Sequence, residues 1–351
     1  MVRVFRIAER ADVQEHPRSH IDPRPVYTDG VARVVLTIKN MNWKWKARIQ
    51  RACAGLPVIQ EPAYYFLQRT FGSVQDRSDP FPMLMACARL ARILHDAARP
   101  VAGARIMEVG TGRCINMPLG FYLCGASSVV TFDAHRYLKP PLLMAALDVF
   151  RAQKDKVIDT LRDATDVTLL QERLELLCSS STSDELLRHA KIEYRAPADA
   201  ADSGLEDHSI DIQISYTVFE HIPRQVLRGI LLEARRVLAP DGVTLHHIDT
   251  SDHFSHHDRS ILPINFLQYS DAEWARLAGN QFAYHNRLRA NEFADLYSEC
   301  GHEVLLWKPY VDEPSLRALA NGFPVHCRFQ SYSPDTLSTV VLQVLSRPQE
   351  R

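Results

Sequence analysis

Residues 105–114, RIMEVGTGRC, join a short apolar run to a turn holding two glycines, and no other stretch constrains the chain as much. Arg105-Ile106-Met107-Glu108-Val109 has the length and apolar content of a buried strand, and Gly110-Thr111-Gly112 is the tight turn that leaves it. Glycine at both positions lets the backbone curl and approach a ligand where a side chain would stand in the way. A dinucleotide fingerprint needs a third glycine for close helix packing, and neither Ile115 nor Asn116 supplies it. Glu108 would also repel a pyrophosphate, whereas it suits a cationic ligand.

Three further segments follow in order. SSVVTFDAHRYL carries the β-branched run Val129-Val130-Thr131-Phe132 and ends in Asp133, 25 residues after Glu108, where a second strand would deliver two acceptor oxygens to a ribose. GLEDHSIDIQISYTVFEHIP brings Leu205, Ser209, Ile210 and Asp211 to a fourth strand through Ile212 and Ile214, closing on Phe219-Glu220-His221. ARRVLAPDGVTLHHID is a helix end, a Pro240-Asp241-Gly242 turn and a fifth strand from Val243 to Ile248. Glu-x-Gly-x-Gly with these three segments resembles the class I S-adenosylmethionine-dependent methyltransferases over roughly residues 104–250. The chain departs from that pattern at Cys114, where a third glycine is usual.

The resemblance implies an α/β fold, a Rossmann-like, doubly wound seven-stranded sheet whose last strand, within 337–346, is antiparallel and lies between the fifth and sixth. It implies S-adenosylmethionine as cofactor, held by Glu108, Gly110, Thr111, Gly112, Asp133 and Ser215, with Asp199 and Asp202 competing for the adenine amino group. His221 is the candidate general base, with Tyr216 and Glu220 behind it, because imidazole titrates near neutral pH. The expected activity is methyl transfer to an oxygen, nitrogen or sulfur of a small-molecule metabolite. The alternatives are a nicotinamide-dependent oxidoreductase and a non-catalytic S-adenosylmethionine-binding partner protein.

The remaining chain divides coarsely. Residues 1–30, rich in proline, charge and histidine without periodicity, are expected to be a loosely ordered arm, and 31–100 a helical cap. In the cap, Trp43, Trp45, Ile49 and Cys53 alternate with Lys44, Lys46, Arg48 and Arg51. That pattern suits a helix packed on the core or, less well, one lying on a membrane surface. The catalytic domain then spans 101–351, with insertions at about 139–190 and 251–285. The first insertion contains two helical segments, PPLLMAALDVFRAQKDKVIDTLRD and VTLLQERLELLCSS, suited to a homodimer contact or an active-site cover. A third strand is expected at Lys191–Arg195, and NEFADLYSECGHEVLLWKPY gives a helix, a Gly301 cap and a sixth strand.

HHIDTSDHFSHHD gathers five histidines and three aspartates at the end of the fifth strand, where ligands of open α/β sheets bind. Asp252, His253 and His257, with Tyr284 and Arg287, are the expected acceptor-binding residues. No known metal-ligand spacing is present there, so no metal is expected. A formal charge of −1 in 351 residues carries no nucleic-acid signature. Seven cysteines without a C-x-x-C pair, no membrane-length apolar run and no signal peptide lead to the expectation of a cytoplasmic protein.

Overall fold

A computed structural model of the chain describes residues 42–54, 79–279 and 284–349. The expected arm, much of the expected cap, and the side chains of Ile49 and Cys53 lie outside the described residues.

Seven strands form one sheet in the order β3-β2-β1-β4-β5-β7-β6. They are β1 (Arg105–Val109), β2 (Ser128–Phe132), β3 (Ile192–Arg195), β4 (Ile210–Tyr216), β5 (Leu238–Asp249), β6 (His302–Val311) and β7 (Thr339–Pro348). The first five are parallel, and β7 runs antiparallel to both β5 and β6, as the resemblance implies. Strands covered on both faces take apolar residues on both: Ile106 faces one cluster with Ile212 and Ile214, while Met107 and Val109 face the other. Helices α1 (Trp43–Ala54) and α2 (Phe81–Asp96) precede the sheet, and α3 (Asn116–Leu123) follows the glycine turn, every residue of it buried.

The first insertion contains four helices, not two: α4 (Pro140–Ala152), α5 (Lys154–Leu161), α6 (Val167–Cys178) and α7 (Ser183–His189). The expected first helix breaks at Gln153, whose backbone leaves the helical region (φ −133°, ψ 41°). The short α7 is started by Thr182, whose hydroxyl accepts the Glu185 N–H. Helix α8 (Arg224–Val237) buries Leu227, Ile230, Leu231, Ala234 and Val237, a stripe at helical spacing. It passes directly into β5, so the Pro240-Asp241-Gly242 turn lies within that strand, where the pairing with β4 shifts register.

The second insertion has its own small core. Helix α9 (Asp271–Ala278), started by a Ser270/Glu273 capping box, brings Trp274 against Phe266 and Phe254. Helix α2 of the expected cap packs on the main core, but the expected packing of the Trp-bearing helix there is corrected. Trp43 of α1 is 3% exposed, packs at a tilt with ring centres 5.4–6.1 Å from Phe254, Tyr269 and Trp274, and gives its backbone N–H to Asp258 at 2.8 Å. Trp45 points outward, 59% exposed. Then α10 (Ala290–Glu299) ends on Gly301 at φ +68°, as expected. Two further helices, α11 (Glu313–Ala320) and α12 (Pro334–Ser338), link β6 to β7. Among the described residues no helix is long and apolar enough to cross a membrane.

Candidate active site

The glycine turn adopts the backbone that only glycine takes without strain, with φ +87° at Gly110 and +70° at Gly112. The two glycines serve different ends. A Cβ on Gly110 would stand 2.5 Å from Val218 Cγ2, so the turn is pressed against the segment after β4. A Cβ on Gly112 would meet nothing within 4 Å, so that residue borders open space.

Glu108 lies beneath this turn and is only 3% exposed. Thr131 donates its hydroxyl hydrogen to Glu108 Oε2 at 2.5 Å and accepts one from Thr111. Burial pushes the carboxyl up to about 8, helped by the nearby Asp133 and opposed by the Thr131 bond. The carboxyl expected to face a cationic ligand lies buried beneath the turn, where burial favours its protonated form.

Asp133, 7% exposed, stands at the end of β2 and accepts the Gly112 N–H on Oδ2 at 2.9 Å. Burial again dominates and lifts its carboxyl to about 7. Tyr194 of β3, which sequence reasoning missed, approaches the same oxygen at 3.5 Å while accepting the Tyr137 and Leu138 N–H groups. Ala198 N–H binds the Asp133 carbonyl at 2.9 Å, which brings the loop bearing Asp199 beside Asp133. Asp199 is exposed and accepts from Ala201 N–H, and Asp202 lies further along the same loop.

Ser215 does not join them. It is fully buried on the opposite face of β4 from Tyr216, bonded to His246 Nδ1 at 2.8 Å.

At the ends of β4 and β5, Tyr216 stacks on His247 with ring centres 4.4 Å apart. His221 lies exposed on a 3₁₀ turn (Phe219–His221), its Nδ1 2.9 Å from the Tyr284 carbonyl. A carbonyl only accepts, so Nδ1 carries the proton and Nε2 offers a lone pair. The surrounding protein and His253 together lower its pKa to about 4. His253 and His285 lie edge-on to this ring at 4.9 and 5.9 Å. Asp249 Oδ2 stands 3.3 Å from His253 Nε2 and 3.5 Å from His256 Nε2. Burial would raise the Asp249 carboxyl, but bonds from His253 and Ser251 hold it well below the usual range.

Of the expected acceptor-binding residues, His253 and Tyr284 meet His221, and His257 is half-buried nearby on the same insertion. Two are corrected to structural roles. Asp252 is 1% exposed and fastens its own loop, accepting Phe254 N–H and Asn265 Nδ2, each at 2.9 Å. Arg287 is 2% exposed and is spent on the Phe266 and Tyr269 carbonyls and Asp271. The folded chain adds what spacing did not show. One ligand-capable atom each from Glu220, His221 and His253 lie within 4.8 Å of one another. Adjacency of Glu220 and His221 was the available signal; the third member comes from another loop.

Residues 163–246 match the family model described as a methyltransferase domain, a span that covers β3, β4, α8 and most of β5. No curated protein matches the chain. Among solved structures it is similar to an S-adenosylmethionine-dependent methyltransferase from Methanosarcina mazei, at 12% identity and TM-score 0.40 over 71% of this chain and 94% of that one. It is also similar to one from Mesorhizobium loti (14%, TM-score 0.36, 72% and 94%) and to the cyclase SpnF (13%, TM-score 0.39, 75% and 81%). S-adenosylmethionine is the cofactor that the matched family brings. The open side of Gly112, with the Asp133 carboxyl beside it, fits an adenosyl group. Residues 163–246 thus match a methyltransferase domain, laid across β3 to β5 of a sheet whose seventh strand enters antiparallel between the fifth and sixth.

Proposed function

We propose that the protein moves the activated methyl group of S-adenosylmethionine to an oxygen, nitrogen or sulfur atom of a small-molecule metabolite in the cytoplasm. The observation that carries this reading is the contact between Gly110 and Val218, which sets the cofactor turn against the segment that ends, three residues later, in His221. Glu108, Gly110, Thr111, Gly112, Asp133 and Asp199 hold the cofactor in this reading. Methyl transfer is an in-line displacement, so alignment and exclusion of water are the protein's main tasks. The Nε2 lone pair of His221 faces the acceptor and takes a proton where the acceptor carries one. Tyr216 walls the cleft, and His253, His257 and Tyr284 position the acceptor. The second insertion supports a small, enclosed acceptor rather than an open macromolecular surface, as does a net charge of −1.

Incubation with methyl-labelled cofactor and a fractionated metabolite extract, followed by mass spectrometry, tests the reading. A labelled metabolite is expected with the wild type. His221→Ala should lower its formation on the order of a hundredfold or more, within the usual range for a lost general base, while cofactor affinity stays within about twofold. Cofactor binding without any labelled product from the extract would overturn it in favour of a binding protein.

A further inference from the structure

The turn after β4 contains a buried acid that nothing among the described residues satisfies. Glu220 is 0% exposed, and neither carboxyl oxygen has a hydrogen-bond partner among the described residues. The backbone N–H groups of Glu220 and Asp249 face it without reaching hydrogen-bond geometry. Burying a carboxyl in this way is costly unless something binds it.

Two imidazoles stand beside it. His221 has its Nδ1–H fixed by the Tyr284 carbonyl and its Nε2 lone pair unspent, the arrangement by which a backbone carbonyl orients a metal-ligating histidine. His253 completes a set of three atoms within 4.8 Å of one another. His285, 8% exposed and 4.8 Å from the His253 ring, accepts Arg287 N–H on Nδ1. Its proton is therefore on Nε2, which has no partner among the described residues.

We infer that Glu220, His221 and His253 form a binding site for a divalent first-row transition ion of the zinc class. Two imidazoles and one carboxylate suit such an ion, and three protein ligands leave a tetrahedral ion one open position. Because His253 belongs to the insertion and the other two ligands to the turn after β4, the ion would also tie the insertion to the sheet. Ion binding stands apart from methyl transfer. That the open position takes a donor atom of the acceptor, with His221 then a ligand rather than a base, rests on the function proposed above.

The test is titration of the untagged, chelator-stripped full chain with cobalt(II) and then zinc(II) chloride, reading visible cobalt bands and calorimetry. One equivalent is expected, with a Kd of about 10 µM or tighter. His221→Ala, His253→Ala and Glu220→Gln should each weaken it at least ~10-fold, and His95→Ala on exposed α2 surface should not. Should Glu220→Gln fail to fold, the partly exposed His253 decides. No uptake at about 100 µM ion, or uptake indifferent to both histidine substitutions, would overturn the site. Cofactor affinity is measured on the same samples. Zinc binding that responds to His253→Ala supports the site even where S-adenosylmethionine fails to bind, an outcome that would sink only the methyl-transfer reading.

Discussion

The ends of β1 and β2 and the ends of β4 and β5 both bury acids, and they treat them differently. Glu108 and Asp133 each receive a hydrogen bond, from Thr131 and from Gly112. Among the described residues Glu220 receives none, and the His285 Nε2 beside its neighbours is equally unpartnered. An acid with partners contributes to a shape that stands alone. One without them carries a desolvation cost of roughly 1 to 3 kcal/mol that other interactions must offset. The ends of β1 and β2 are thus satisfied from within, whereas the turn after β4 leaves an acid unpaired among the described residues.

The largest test of that contrast is Gly110→Ala. Its Cβ would collide with Val218 in a left-handed backbone, so a loss of about 2 to 5 kcal/mol is expected, against about 1 to 2 kcal/mol for Gly112→Ala, where only the backbone objects. Denaturant melts giving equal losses would show that the turn is not pressed on the β4 segment.

Next come paired substitutions of partners and orphans. Thr131→Val strands Glu108 and should cost about 1 to 3 kcal/mol, whereas Glu220→Met in chelator-treated protein should be neutral or stabilising. Destabilisation of similar size in both would erase the distinction. Asp133→Ala should weaken cofactor binding roughly 10- to 100-fold by calorimetry, as loss of charge-assisted bonds to a ribose requires.

The smallest effect concerns a satisfied group far from either end. His302 is 2% exposed, bonded to Ser346 Oγ and the Leu231 carbonyl, and flanked by Tyr297 and Arg235. Burial lowers its pKa to about 4. Below its ordinary value near 6.5 the unfolded chain takes up a proton that the folded chain refuses. Its contribution is therefore full above pH 6.5 and is lost as pH falls toward 4, at up to about 1.4 kcal/mol per pH unit. His302→Gln should flatten the wild-type slope of stability between pH 6.5 and 5 by up to that amount. An unchanged slope would mean the imidazole is not held neutral.

Local signals explain what was legible. The strand and turn at 105–112, the β-branched run before Asp133 and the Gly301 cap each declare themselves within a few residues, and the sheet order follows from the resemblance those motifs carry. Ser215 escaped because β4 is covered on both faces. Its alternation has no polar side, and one step along the pleat turns a side chain from the cleft to His246. Asp252 and Arg287 looked like ligand groups because an insertion advertises polarity without saying that its own turns consume it. Helix α7, seven residues long, and the break at Gln153 fall below the reach of periodicity. The trio of Glu220, His221 and His253 and its neighbour His285 are separated by loops whose course only the fold reveals.

The aromatic cluster around Trp43 has a kinetic consequence. It joins α1 to the second insertion through Phe254, Tyr269 and Trp274, set apart from the two clusters that flank the sheet. Such a satellite opens as its own cooperative unit, at a lower free energy than the sheet. In hydrogen exchange, amides of Ala47 and Ala278 should share one protection level, well below that of Ile214, and the level should collapse in Trp43→Ala while Ile214 holds. The joint between α1 and the second insertion would then open many times for each global unfolding of the sheet.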